Sequence, residues 1–78
     1  MDSSKQGTVA LTLREEQVML LVQEGKTNKQ IARILSVAER TVRFHLRNVF
    51  RKLEVANRAH AVSKAIHLGL IDNASANG

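Results

Sequence analysis

The stretch from Ala38 to Leu53 constrains this chain more than any other. Val42, Leu46, Val49, Phe50 and Leu53 recur there at spacings of three and four, the interval that gathers side chains on one side of an α-helix. On a wheel of 100° per residue, Val42, Leu46, Val49 and Leu53 fall within a band about 60° wide, so the helix has one core-facing edge. The opposite edge carries Arg40, Arg43, Arg47 and Arg51, with Phe44 and Asn48 alongside, and no acidic residue occurs from Arg40 to Lys52. Cations stacked at these spacings repel one another and destabilise an isolated helix unless an anion compensates. A merely solvated basic face is the plain alternative. The preference for Arg and the large apolar ring of Phe44 among the cations both weigh against it.

The rest of the chain is punctuated for helices as well. Thr12 with Glu15 forms a capping box that opens a first helix, whose apolar stripe is Val18, Leu21 and Val22 and whose end is Gly25. Thr27 and Gln30 repeat the box before Ile31, Ala32, Ile34 and Leu35, a helix of about two turns that stops near Ser36. Asn57 caps a fourth helix bearing Ala61, Val62, Ala65, Ile66 and Leu68, which Gly69 closes. Helices are therefore expected over about 12–24, 27–35, 38–53 and 57–68. The fold class is all-α, a compact four-helix bundle containing a helix-turn-helix. Residues 1–10 and 72–78 are small, polar and aperiodic and read as disordered tails or linker, leaving one domain over 11–71.

Composition limits the function classes. A chain of 78 residues makes one domain at most, too small for a spacious catalytic cleft. It has no Cys to supply disulfides or thiolate ligands, which suits a reducing cytoplasm. The longest apolar run, Val18 to Val22, falls far short of the roughly 20 residues of a membrane span, and no secretion signal opens the chain. Membrane insertion and secretion are thus excluded. The net charge is +5, and between Gly25 and Lys64 ten basic residues stand against two acidic ones, Glu39 and Glu54. The excess lies inside the patterned region, which points to a polyanionic partner.

The short second helix, the tight Leu35-Ser36-Val37 link and the long third helix compose a helix-turn-helix. In that arrangement the second helix of the pair enters the DNA major groove. Arg can bond guanine O6 and N7 together, and Phe can touch the thymine methyl. Thr27, Asn28 and Lys29 come to a helix N-terminus beside a phosphate, although capping alone would also account for them.

Taken together, Leu11-Thr12 with Glu15, the run Glu24 to Ala32, the run Glu39 to Leu46, Lys52-Leu53 and the run Asn57 to Val62 resemble the LuxR/FixJ/GerE-type DNA-binding domain. The resemblance covers roughly Leu11 to Ile71. It implies a bacterial transcription regulator, located at the nucleoid in the cytoplasm, whose four-helix domain binds two-fold symmetric promoter sites as a dimer. It further implies that Arg43, Phe44 and Arg47 face the bases, while Thr41, His45, Asn48 and the start of the second helix (Thr27, Asn28, Lys29) grip phosphates. Arg40 and Arg51, the flanking cations of the same face, join the phosphate contacts. The ending Ala65 to Ile71 resembles most the regulators that sense acyl-homoserine lactones, although response regulators with a phosphorylated receiver share most of the same string. Three positions depart from the family pattern. Leu13 stands where Pro is frequent, Ser36 where a turn glycine is common, and Ala38 where Ser or Thr usually caps the recognition helix.

The fourth helix has an apolar arc of close to half its circumference, wider than one docking stripe. Its excess is expected to receive a second copy through Ala61, Ala65, Ile66 and Leu68, weakly in the isolated domain, and to set two recognition helices about one DNA turn apart. The plain alternative is that small residues widen a buried face. RNA polymerase is a further partner such a regulator would meet.

Enzyme and metal readings find no support. His60 and His67 lie two turns and about 10 Å apart on one helix, too far to share a metal ion. Glu15 and Glu16 diverge by about 100°, with Glu15 already engaged in capping. No cofactor or small-molecule ligand is expected in this segment. A second reading is a basic module that docks on an acidic protein. RNA binding is disfavoured, because Phe44 alone offers little surface for stacking single-stranded bases.

Overall fold

The computed structural model describes residues 9–72. Four helices run through it in the order α1 (Leu13–Gln23), α2 (Asn28–Leu35), α3 (Glu39–Leu53) and α4 (Arg58–His67), and no strand occurs among the described residues. Three of the four begin next to a residue whose chemistry announces a start. Thr12 and Thr27 each make the full reciprocal box, with Glu15 and Gln30, and the Asn57 side chain accepts from the His60 N–H. Ala38 has no side chain able to do so, and α3 starts without a side-chain cap.

The four helices also end alike. The N–H groups of Lys26, Val37, Val55 and Leu70 reach back to the carbonyls of Leu21, Ala32, Phe50 and Ala65 at 2.8–3.1 Å, each across one left-handed residue. Gly25 and Gly69 take that conformation freely. Ser36 (φ 60°) and Glu54 (φ 59°) take it against the clash between Cβ and the carbonyl. The conflict at Ser36 is foreseeable from the absent turn glycine; the one at Glu54 is not, because nothing local marks it.

Helix α3 packs against each of the other three. Its Val42, Leu46, Val49 and Leu53 are buried, as the spacing predicts, and they meet Val18, Met19 and Val22 of α1 and Ile31 and Ala32 of α2 in one core. Ala61 and Ala65 of α4 complete it, together with Ile71 beyond the helix.

That placement corrects the assignment of Ala61 and Ala65 to a dimer surface. Both are fully buried within the chain's own core and cannot reach a second copy. Small side chains here let α4 approach the other helices closely; they do not widen an outer face. Ile66 is half-buried and Leu68 is 41% exposed, so of the four named residues these two keep an open edge.

Most of the expected tails, residues 1–8 and 73–78, lies outside the described residues. The packed body nevertheless begins ahead of Leu11, which corrects that boundary. Val9 packs against the core, and the Ala10 carbonyl accepts a hydrogen bond of 3.1 Å from Lys52 Nζ. At the other end the Asp72 carbonyl accepts one of 2.8 Å from Gln23 Nε2.

Candidate nucleic-acid interface

Because the aliphatic edge of α3 is packed inward, its opposite edge is the outer surface of the domain. Arg40, Arg43, Phe44, Arg47 and Arg51 are all exposed, while Thr41, His45 and Asn48 are half-buried on its flanks. Arg40, Thr41, Arg43, Phe44 and Arg47 line one shallow depression on this face. Phe44 is 55% exposed, an unusual position for an aromatic ring in a small core-forming helix. It is steadied by an edge contact with the His45 ring at 5.6 Å between centroids.

The face is less purely cationic than the stretch after Glu39 suggests. Glu39 and Arg43 stand one helical turn apart with 3.6 Å between Oε1 and Nη1, both about half exposed. Such an i,i+4 pair contributes only about 0.3–0.5 kcal/mol and is screened by salt, so Arg43 is released readily to a stronger anion. The spacing itself could have revealed this pair. Arg51 Nη2 donates to Asn48 Oδ1 at 3.2 Å, which leaves the Asn48 amide group free to donate outward.

Lys52 is counted with the basic residues of the sequence, but its head group points away from this face. Its Nζ lies 2.6 Å from Glu15 Oε1 and also donates to the Ala10 carbonyl. Glu15 is the only described polar or charged residue buried in the fold. Burial alone would raise its pKa, but the hydrogen bond from Lys52, that from the Thr12 N–H and the charge of Lys52 together hold it below the ordinary carboxylate value. A capping residue therefore doubles as the anchor that ties α1 to the end of α3, across 37 positions of sequence.

At the start of α2, the Thr27 Oγ1 accepts from the Gln30 N–H at 3.1 Å through one of its two lone pairs, and its O–H remains as a donor. Lys29 is exposed. Asn28 is half-buried, and its Oδ1 accepts from Arg58 Nη2 of α4. The site therefore offers guanidinium, ammonium, amide and hydroxyl donors around one apolar ring. That is the chemistry of an anion-binding, base-contacting surface. Among the described residues no three His, Asp or Glu side chains meet closely enough to hold a metal ion, and no helix is long and apolar enough to cross a membrane.

Comparison with known proteins agrees with this geometry. Residues 9–65 match the family described as bacterial regulatory proteins, luxR family. The transcriptional activator protein CarR of Pectobacterium carotovorum subsp. carotovorum is 48% identical over 60 residues, 77% of this chain and 25% of its own length. The quorum sensing-dependent transcriptional regulator RpaR of Rhodopseudomonas palustris is 51% identical over 61 residues, 78% of this chain and 25% of its own length. The chain thus spans about a quarter of these relatives. Among solved structures, the transcription factor GerE superposes with a TM-score of 0.77 at 33% identity, covering 81% of this chain and 94% of GerE. Shared fold, shared sequence and the outward basic face of α3 lead to one assignment: the chain belongs to the luxR family of bacterial regulatory proteins, as a DNA-binding helix-turn-helix domain of a transcription regulator and not an enzyme.

Proposed function

We propose that α3 enters the major groove of duplex DNA, where Arg43, Phe44 and Arg47 read base edges. Thr27, Asn28, Lys29, Arg40, Thr41, His45, Asn48 and Arg51 hold the flanking phosphates. One observation carries this reading. Arg43, Phe44 and Arg47 stand exposed together on the side of α3 turned away from its buried aliphatic residues and line one shallow depression, so a groove-sized partner can reach all three at once. Two copies bind a palindromic promoter site, pairing through the edge of α4 that Ile66 and Leu68 leave open. In a longer regulator this domain is the part that reads the promoter and presents it to RNA polymerase. The quorum sensing-dependent description of RpaR suggests the kind of signal such a regulator answers.

The test is selection of duplexes from a random pool, followed by titration of variants on the selected and a random duplex. Arg47→Ala is expected to cost about 1–3 kcal/mol on the selected duplex and to relax preference at one position of each half-site. Lys29→Ala is expected to weaken both duplexes similarly and to reduce the salt slope by about one unit. Equal losses for both variants on both duplexes would refute this division of roles.

A further inference from the structure

Arg58 is the first residue of α4 and is half-buried, and no DNA contact has been assigned to it above. Its Nη2 donates to Oδ1 of Asn28, the first residue of α2, 30 positions earlier in the chain. A guanidinium carries only N–H donors, so the Asn28 atom that it meets has to be the carbonyl oxygen. The amide thus turns its oxygen toward Arg58. With one lone pair of Oδ1 engaged, the side chain still carries its Nδ2 group, two donors that only an acceptor can satisfy.

A second observation is independent of that hydrogen bond. Asn28, Arg43, Arg47, Asn57 and Arg58 line one open groove of about 450 Å³ between α3 and the starts of α2 and α4, and no carboxylate lines it. Two of its three guanidiniums belong to the pair assigned to bases. The third comes from a different helix and extends the basic surface away from α3. Three like charges around one groove repel, and an anionic oxygen between them relieves the repulsion. The walls are Leu46 and Phe50, which lower the local polarity and strengthen any charge-assisted hydrogen bond formed there.

We propose that Arg58 is a positioning residue of the DNA interface: it holds the Asn28 amide with its donors outward and shares one backbone phosphate with it. This rests on the DNA-binding reading of α3. The phosphate so held fixes the register of the duplex against α3 and carries no sequence information.

Binding of the intact chain to the selected duplex and to a random duplex of equal length, over a range of salt, tests the proposal. Helicity and thermal midpoint are measured for every variant. Arg58→Gln is expected to weaken both duplexes alike, about tenfold, and to make the slope of log affinity against log salt shallower by about one unit. Arg58→Lys keeps the charge but not the planar fork, so it retains the slope and still binds more weakly. Asn28→Ala added to Arg58→Gln causes little further loss, because the two side chains act as a unit. A folded Arg58→Gln with the slope of the parent, or additive losses in the double variant, overturns the proposal. If Arg58→Gln does not fold, Arg58→Lys decides: unchanged affinity overturns the proposal, and weaker binding at the parental slope sustains it. Failure of the parent chain to bind duplex DNA at all would instead overturn the reading on which this one rests.

Discussion

Replacing Lys52 with Met removes the ammonium that stands 2.6 Å from Glu15 Oε1 and keeps much of the aliphatic stem. The partner left behind is the decisive factor. The Glu15 side chain is 4% exposed and the Lys52 side chain 35%, so the two ends of the pair are unequally accessible to water. Breaking a fully buried pair costs about 3–5 kcal/mol because a charge is stranded. Here water reaches the lysine end, and the Thr12 N–H continues to donate to the carboxylate at 3.0 Å. A loss of about 2–3 kcal/mol is therefore expected, which for a domain of this size lowers the thermal midpoint by about 10–20 °C. Glu15→Gln is the contrasting variant. Glutamine can keep the capping box, and the abandoned lysine can turn to solvent, so the expected cost is only about 1 kcal/mol. The double variant should recover part of the loss of Lys52→Met, since no buried charge remains.

The same pair predicts a pH dependence. The folded pKa of Glu15 lies below its unfolded value, so the unfolded chain binds the proton more readily. Its contribution to stability is complete above the ordinary carboxylate range and disappears as pH falls through the lowered folded value. The gap between the parent and Lys52→Met should therefore be widest at neutral pH and close in acid. Urea unfolding of the four proteins at neutral and acidic pH provides the measurement. Glu15→Gln costing as much as Lys52→Met, or a gap that persists undiminished in acid, would refute the claim that a stranded carboxylate causes the loss.

Three other outcomes are expected. Ser36→Gly and Glu54→Gly each place glycine at a left-handed helix end and should stabilise by about 0.5 kcal/mol after the entropic cost of glycine, raising the midpoint in thermal melts; the same change at exposed Ser63, inside α4, should lower it. Ala38→Ser supplies the missing cap of α3 and should add about 1 kcal/mol, read from urea unfolding. Leu68→Lys should abolish any pairing of two copies on a palindromic duplex while leaving the fold intact, seen as loss of the second shift in gel mobility; retained pairing would locate the dimer contact elsewhere.

Much of this domain is decided within a few residues of sequence. Helix starts follow from Thr12, Thr27 and Asn57, because a capping side chain acts on an N–H only three positions away. The two-sided character of α3 follows equally locally, since a period of 3.6 separates Val42, Leu46, Val49 and Leu53 from Arg43 and Arg47 whatever else the chain does. Even the strain at Ser36 is legible, through the glycine that is not there.

What sequence spacing could not decide is which neighbour each surface meets. Ala61 and Ala65 belong to an apolar arc that periodicity alone leaves free to face either the core or a second copy, and only the approach of α4 to the rest of the bundle turned them inward. Lys52 continues the basic run in sequence, yet a carboxylate 37 positions earlier draws it to the far side of α3. Arg58 gains its place beside Asn28 only when the starts of α4 and α2 come together. Local rules fix which residues share a face, because backbone geometry repeats along the chain. The partner of that face depends on contacts between residues tens of positions apart, which no period encodes.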